Sequence, residues 1–122
     1  MSNIAFMNNL GIVAALGHGK VESAARLLAG DTSGLIRDSE LLINGCTLVG
    51  SVVGRITSVP ASFSNQNSRN NQLLLTAVGE IRKDVDNAVN KYGPKRIGVV
   101  LGTSTSGIRE GEQAIDMLDK KG

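Results

Sequence analysis

The sequence predicts an α/β domain. Three observations carry that expectation. Ile97 to Leu101 is an unbroken apolar run, the pattern of a strand buried on both faces. Leu74, Val78, Ile81, Val85 and Ala88 recur at spacings of four and three, which marks one face of a long helix. Asn44-Gly45 lies between two short apolar runs, a strong hairpin signal.

Taken in chain order, Ile4 to Met7 reads as a first short strand. The apolar stretch Leu10 to Leu16 follows and is broken by Gly17-His18-Gly19. Lys20 to Ala29 places Val21, Ala24, Ala25 and Leu28 on one helical face, and Gly30 is positioned to stop that helix. Leu41 to Ile43 and Thr47 to Val49 are expected to pair across Asn44-Gly45. Extended structure continues from Val52 to Val59, where Pro60 ends it. The polar stretch Ser62 to Asn70 leads into a helix from about Ser68 to Tyr92, closed by Gly93-Pro94. The buried strand Ile97–Leu101 then opens into the hydroxyl-rich loop Gly102 to Gly107, and a last helix starts at Ile108. The expected order is β-α-ββ-α-β-α. A strand as apolar as 97–101 wants neighbours on both edges and helices on both faces. The predicted elements supply these only in part, so the chain reads as an incomplete piece of a layered sheet with helices on both faces.

Composition narrows the function classes. With 122 residues, 41% of them hydrophobic, the chain holds one globular domain at most. A net charge of +2 and three aromatic residues argue against a nucleic-acid partner. No apolar run approaches the roughly 20 residues of a membrane span, so no membrane partner is expected. No basic segment precedes the first apolar stretch, which Asn8 and Asn9 interrupt, so a signal peptide is not expected. A single cysteine excludes an internal disulfide, and a cytoplasmic location is the default expectation.

The chemistry-bearing residues are few. Cys46 flanks the expected hairpin and reads as a half-buried strand cysteine rather than an activated thiolate. His18 reads as a solvated turn histidine without partners, and one His with one Cys does not make a zinc site. No metal or other cofactor is expected. The pairs Asp84/Asp86 and Asp116/Asp119 read as solvated helix faces. The loop Gly102 to Gly107 is the site candidate, because open α/β sheets bind ligands at the carboxyl ends of their strands. Its two glycines have the spacing of a phosphate-binding loop, but Ile108-Arg109 stands where that motif needs Lys-Ser/Thr. A tight turn whose hydroxyls satisfy its own backbone is the simpler alternative.

Four segments resemble, in order, the N-terminal part of the β-ketoacyl-acyl-carrier-protein synthases of the thiolase-like superfamily. Asn8-Asn9-Leu10-Gly11 and Ala14-Ala15-Leu16-Gly17 are similar to the family's Thr-Gly-Leu-Gly and Ser-Pro-x-Gly. Leu27-Leu28-Ala29-Gly30 with Ser33-Gly34, then Ser68-Arg69-Asn70-Asn71, then Arg96 to Gly107 complete the match. The resemblance implies residues 1–122 form the N-terminal part of a thiolase-like domain. It implies a parent cytoplasmic homodimer that condenses an acyl thioester with a malonyl thioester on acyl carrier protein. The family's nucleophilic cysteine and its two histidines match no position here, so the chain alone is expected to be inert. The resemblance further implies that Ser104, Thr105 and Ser106 lie beside the acyl pocket, with Thr105 facing the acyl chain. A small hydroxyl there implies tolerance of polar or rigid acyl groups. Arg69, at the start of the long helix, is implied as a docking residue for the acidic carrier, against the simpler reading of a solvated arginine. A non-catalytic domain binding a small ligand or carrier protein, and a nucleotide-binding α/β domain, are the alternatives.

Overall fold

The computed structural model describes residues 4–42, 44–103 and 108–120, with the side chain of Arg109 set aside. It shows a mixed α/β chain in which two small antiparallel sheets sit among three α-helices. Strands β1 (Val13–Ala14) and β2 (Gly17–His18) pair with Val13 opposite His18 and Ala14 opposite Gly17. Helix α1 covers Lys20–Leu28. Strands β3 (Leu35–Asp38) and β4 (Thr47–Gly50) pair next, followed by helix α2 (Arg69–Tyr92) and helix α3 (Ile108–Asp119).

Both predicted helix stops are observed. Helix α1 ends in a Schellman motif: Gly30 N–H donates to Leu27 C=O at 3.1 Å and Asp31 N–H to Arg26 C=O at 2.9 Å. Gly30 takes φ +65°, the left-handed conformation that this motif requires. Just beyond, Asp31 Oδ1 accepts from Ser33 N–H at 2.8 Å. That bond, the Ser33 hydroxyl and then nearby Arg26 hold the Asp31 carboxyl below its ordinary value. Helix α2 starts one residue later than predicted, with Ser68 as its cap, and ends at Gly93-Pro94.

Helix α2 is the spine of the molecule. Its apolar face, Leu74, Val78, Ile81, Val85 and Ala88, is half-buried as the spacing predicts. The segment leading into β1 lies directly on its backbone: a Cβ on Gly11 would overlap the Ala77 carbonyl oxygen. Ile12 N–H donates to Glu80 Oε2 at 3.2 Å, and the Asn9 amide donates to Asp84. Asp84 is therefore a tie between segments rather than simply a solvated carboxylate; Asp86, as expected, faces solvent, paired with Arg82 at 3.0 Å. On another side of α2, Thr57 N–H donates to Thr76 Oγ1 at 2.7 Å, which in turn donates to Gln72 C=O. Gly34 brings the start of β3 against the β1–β2 turn, where a Cβ would overlap the Ala15 carbonyl oxygen.

Several strands differ from the sequence expectation. Ile4 to Met7 forms no strand, and Met7 is 90% exposed. Thr47–Gly50 pairs with Leu35–Asp38 rather than with the expected strand Leu41–Ile43, whose Ile43 lies outside the described residues, so Asn44-Gly45 is part of a longer connection. The register puts Ile36 opposite Val49 and Asp38 opposite Thr47, and Asp38 Oδ1 turns the chain by accepting from Glu40 and Leu41 N–H. Residues 52–59 join no ladder and instead run along α2. Ile97 has extended φ/ψ (−107°, 124°), yet 97–101 pairs with no strand among the described residues, and Val100 is 97% exposed. An apolar run forms a ladder only where a neighbour offers its own backbone groups, and none among the described residues is paired with it. Among the described residues no hydrophobic side chain is fully buried.

Candidate functional site

The densest set of polar connections gathers at the first turn of α2, where the sequence reads Ser68-Arg69-Asn70-Asn71-Gln72. Ser68 has extended φ/ψ, and its Oγ accepts from Asn71 N–H at 3.2 Å, satisfying one of the free amides of the helix start. Each of the four following side chains bonds a residue outside the helix. The Arg69 guanidinium donates to Val52 C=O at 3.3 Å. Asn70 Oδ1 accepts from the Thr103 hydroxyl at 2.6 Å. The Asn71 amide donates to Gln66 C=O at 2.7 Å, and the Gln72 amide to Asn67 Oδ1 at 2.8 Å. One helical turn thus gathers segments 52, 66–67 and 103.

The electrostatics of this turn are one-signed. Between Leu41 and Gly79 the sequence holds no aspartate or glutamate, and Arg55 and Arg69 are its only charged residues. Arg69 sits where a cation opposes the helix macrodipole, at a typical cost of about 0.3–1 kcal/mol. Its bond to the Val52 carbonyl compensates while the side chain stays exposed.

Of the expected site residues, Arg69 is at the mouth of this junction. Ser104, Thr105 and Ser106 lie outside the described residues, immediately after Thr103. Asn70 and Thr103 were not singled out by sequence reasoning. The four-residue polar opening of an amphipathic helix was the available signal, but it does not say which distant segment each side chain holds.

A groove of about 470 Å³ runs between α1 and α2. Leu10, Val21, Ala25 and Ile81 form its apolar wall, with Lys20 and Glu80 at its polar edge. Lys20 Nζ donates to Asn9 Oδ1. His18 borders it too, but is not the free turn histidine of the sequence reading: it belongs to β2, its Nε2 lies 2.8 Å from Val53 C=O, and its N–H donates to Glu22 at 2.9 Å. Cys46 is exposed in the connection before β4, not half-buried in a strand. Among the described residues no three His, Cys, Asp or Glu side chains gather in a way that could hold a metal ion. No described helix is long and apolar enough to cross a membrane.

A helical spine with two short antiparallel sheets beside it defines a partial α/β domain. No family model matches the chain, and no curated protein does. Among solved structures, it is similar to a ketosynthase from Xenorhabdus doucetiae determined in complex with its chain length factor. The identity is 34%, the TM-score 0.83, and the match covers 96% of this chain and 30% of that one. The chain is a ketosynthase homologue of the thiolase-like type, matching one segment of a larger ketosynthase. It spans about a third of that relative's length.

Proposed function

We infer that this chain is the N-terminal part of a β-ketoacyl-acyl-carrier-protein synthase acting in fatty-acid or polyketide-type synthesis. The observation that carries this is the match over nearly the whole chain to a ketosynthase, at an identity where backbone and sequence agree. In such an enzyme a cysteine thiolate takes the acyl group from its thioester. The malonyl unit loses CO2, and the resulting carbanion attacks the acyl-enzyme carbonyl, freeing the thiolate and leaving a β-ketoacyl carrier. Histidines beside the cysteine assist the decarboxylation and stabilise the oxyanion. Those groups match no residue here, so the 122-residue chain does not condense by itself.

What these residues supply in the parent is substrate placement. Ser104, Thr105 and Ser106 flank the acyl pocket, and Arg69 attracts the acidic carrier protein. The acid-free stretch around Arg69 supports that role, since no neighbouring carboxylate in the sequence from Leu41 to Gly79 competes for the guanidinium. The parent is a cytoplasmic homodimer.

The first test is the reading frame beyond Gly122, read together with the intact mass of the purified chain. A continuation into a cysteine at a strand-to-helix turn and two later histidines supports the proposal. A stop at Gly122 overturns it, leaving a non-catalytic binding domain. In the parent, Arg69→Glu is expected to raise KM for carrier-bound substrate about tenfold. The same variant should leave KM for a small carrier-free thioester unchanged. An unchanged KM for carrier-bound substrate removes Arg69 from the docking surface.

A further inference from the structure

We propose that Asn44 is a site of spontaneous deamidation, at which the Gly45 backbone nitrogen attacks the Asn44 side chain. Asn44-Gly45 is the chain's sole Asn-Gly pair and its strongest turn signal, yet β4 pairs with β3 and the pair closes no tight hairpin. Neither residue has the positive φ that a two-residue primed turn requires. Both are exposed in the connection between β3 and β4, and the nearest ladder position is Thr47, opposite Asp38. Among the described residues, no hydrogen bond holds the Asn44 side-chain amide or the Gly45 N–H.

These are the conditions the reaction needs. The Gly45 nitrogen gives its proton to base and attacks Asn44 Cγ. The new C–N bond closes a succinimide ring as the bond from Cγ to the side-chain nitrogen breaks and ammonia leaves. Water then cleaves the ring nitrogen from Cγ, giving aspartate, or from the main-chain carbonyl carbon, giving isoaspartate with the chain running through Cγ. Ring closure needs the Asn44 side chain and the following peptide to rotate, and glycine has no Cβ to crowd the approach. The product places a carboxylate in a stretch, Leu41 to Gly79, that holds none, and lowers the formal net charge of +2 by one. Asn67-Ser68 is the contrast within the same chain, since its second residue is also small. There Asn67 Oδ1 accepts from the Gln72 amide at 2.8 Å, and Ser68 N–H donates to Gln66 C=O at 2.9 Å. Of the two asparagines followed by glycine or serine, the fold restrains Asn67 and leaves Asn44 to react.

The experiment incubates the purified chain at neutral and at mildly alkaline pH, both folded and in guanidinium chloride, and maps its peptides by mass spectrometry. The peptide holding Asn44 is expected to gain about 1 Da and to split into two isomeric products, faster at the higher pH. Folding should leave that rate within about threefold of the unfolded one, whereas at Asn67 folding should slow conversion about tenfold, as one net hydrogen bond would. A Cβ on Gly45 would meet only the exposed Leu42 side chain, at 3.3 Å, so the fold accepts Gly45→Ala. That variant should slow conversion about tenfold by crowding the ring closure. Asn44→Gln should remove the mass gain from the peptide. A folded-chain rate at Asn44 more than about threefold below the unfolded rate overturns the proposal. Conversion at Asn67 as fast as at Asn44 in the folded chain overturns it too, as does a Gly45→Ala variant that reacts at the wild-type rate.

Discussion

The first turn of α2 and the apolar segment 97–101 lie on either side of one hydrogen bond, and they are built in opposite ways. In the first, the four consecutive side chains after the Ser68 cap hold three separate stretches of chain, at 52, 66–67 and 103. In the second, five apolar or small residues have no ladder partner among the described residues, and Val100 is almost wholly exposed. Polar side chains at a helix start can be satisfied one at a time by whatever carbonyl or hydroxyl is near. A buried strand cannot: its backbone and both faces need neighbouring elements together. A segment whose stability is local therefore takes its final form within this chain, and a segment whose stability is cooperative does not.

The largest test of this contrast is steric. Gly11 rests on the α2 backbone at Ala77, and Gly11→Ala forces the two apart. The expected loss is about 3 kcal/mol or more, within the range for overpacking against rigid backbone. Chemical denaturation followed by circular dichroism reads it. A loss below about 1 kcal/mol would mean that the N-terminal segment does not depend on its seat against α2.

The same distinction explains what was legible in the sequence. The ends of α1 and α2 were readable because stops are local: Gly30 and Gly93-Pro94 act within a few residues of where they stand. The apolar face of α2 was equally plain from its period. Strand pairing was not, because it depends on which edge is available. Asn44-Gly45 signalled a hairpin, yet β4 found β3, where Ile36 meets Val49 across the ladder. His18 looked free for a related reason, since its partner Val53 lies 35 residues away and is a backbone carbonyl that no side-chain motif announces. The Asn70–Thr103 bond was hidden by the same distance in sequence. The chain's resemblance to ketosynthases was nevertheless written in ordered local motifs, and the match to a solved ketosynthase agrees with it.

A second test acts on the exposed side of the comparison. In this chain Val100→Lys should change stability by no more than about 0.5 kcal/mol, because the side chain is solvated before and after the change. In the parent enzyme the proposed reading covers this segment with further structure, and an unpaired lysine there should cost about 3–5 kcal/mol. Thermal unfolding of both proteins gives the comparison directly. A substitution equally harmless in the parent would show that 97–101 stays uncovered, and would remove the strand from the proposed fold.

The smallest effect belongs to Asp31, which sits in the loop after α1 and concerns only local order. Its carboxyl is held below its ordinary value of 3.8, first by the Ser33 amide, then by the Ser33 hydroxyl and Arg26. The folded state thus holds this proton less tightly than the unfolded chain does. Its contribution is present in full above the unfolded value, and it declines as pH falls through the lower folded value. Melting temperature should therefore drop on acidification below about pH 4, and Asp31→Asn should flatten that drop slightly without altering the curve's shape at neutral pH. The carboxylate is partly exposed, so solvent screens it and the change stays small. A variant whose acid limb coincides with wild type would mean the Ser33 bonds form equally in the unfolded chain. The turn would then be a property of the Asp31-Thr32-Ser33 sequence alone, with no help from the packed end of α1.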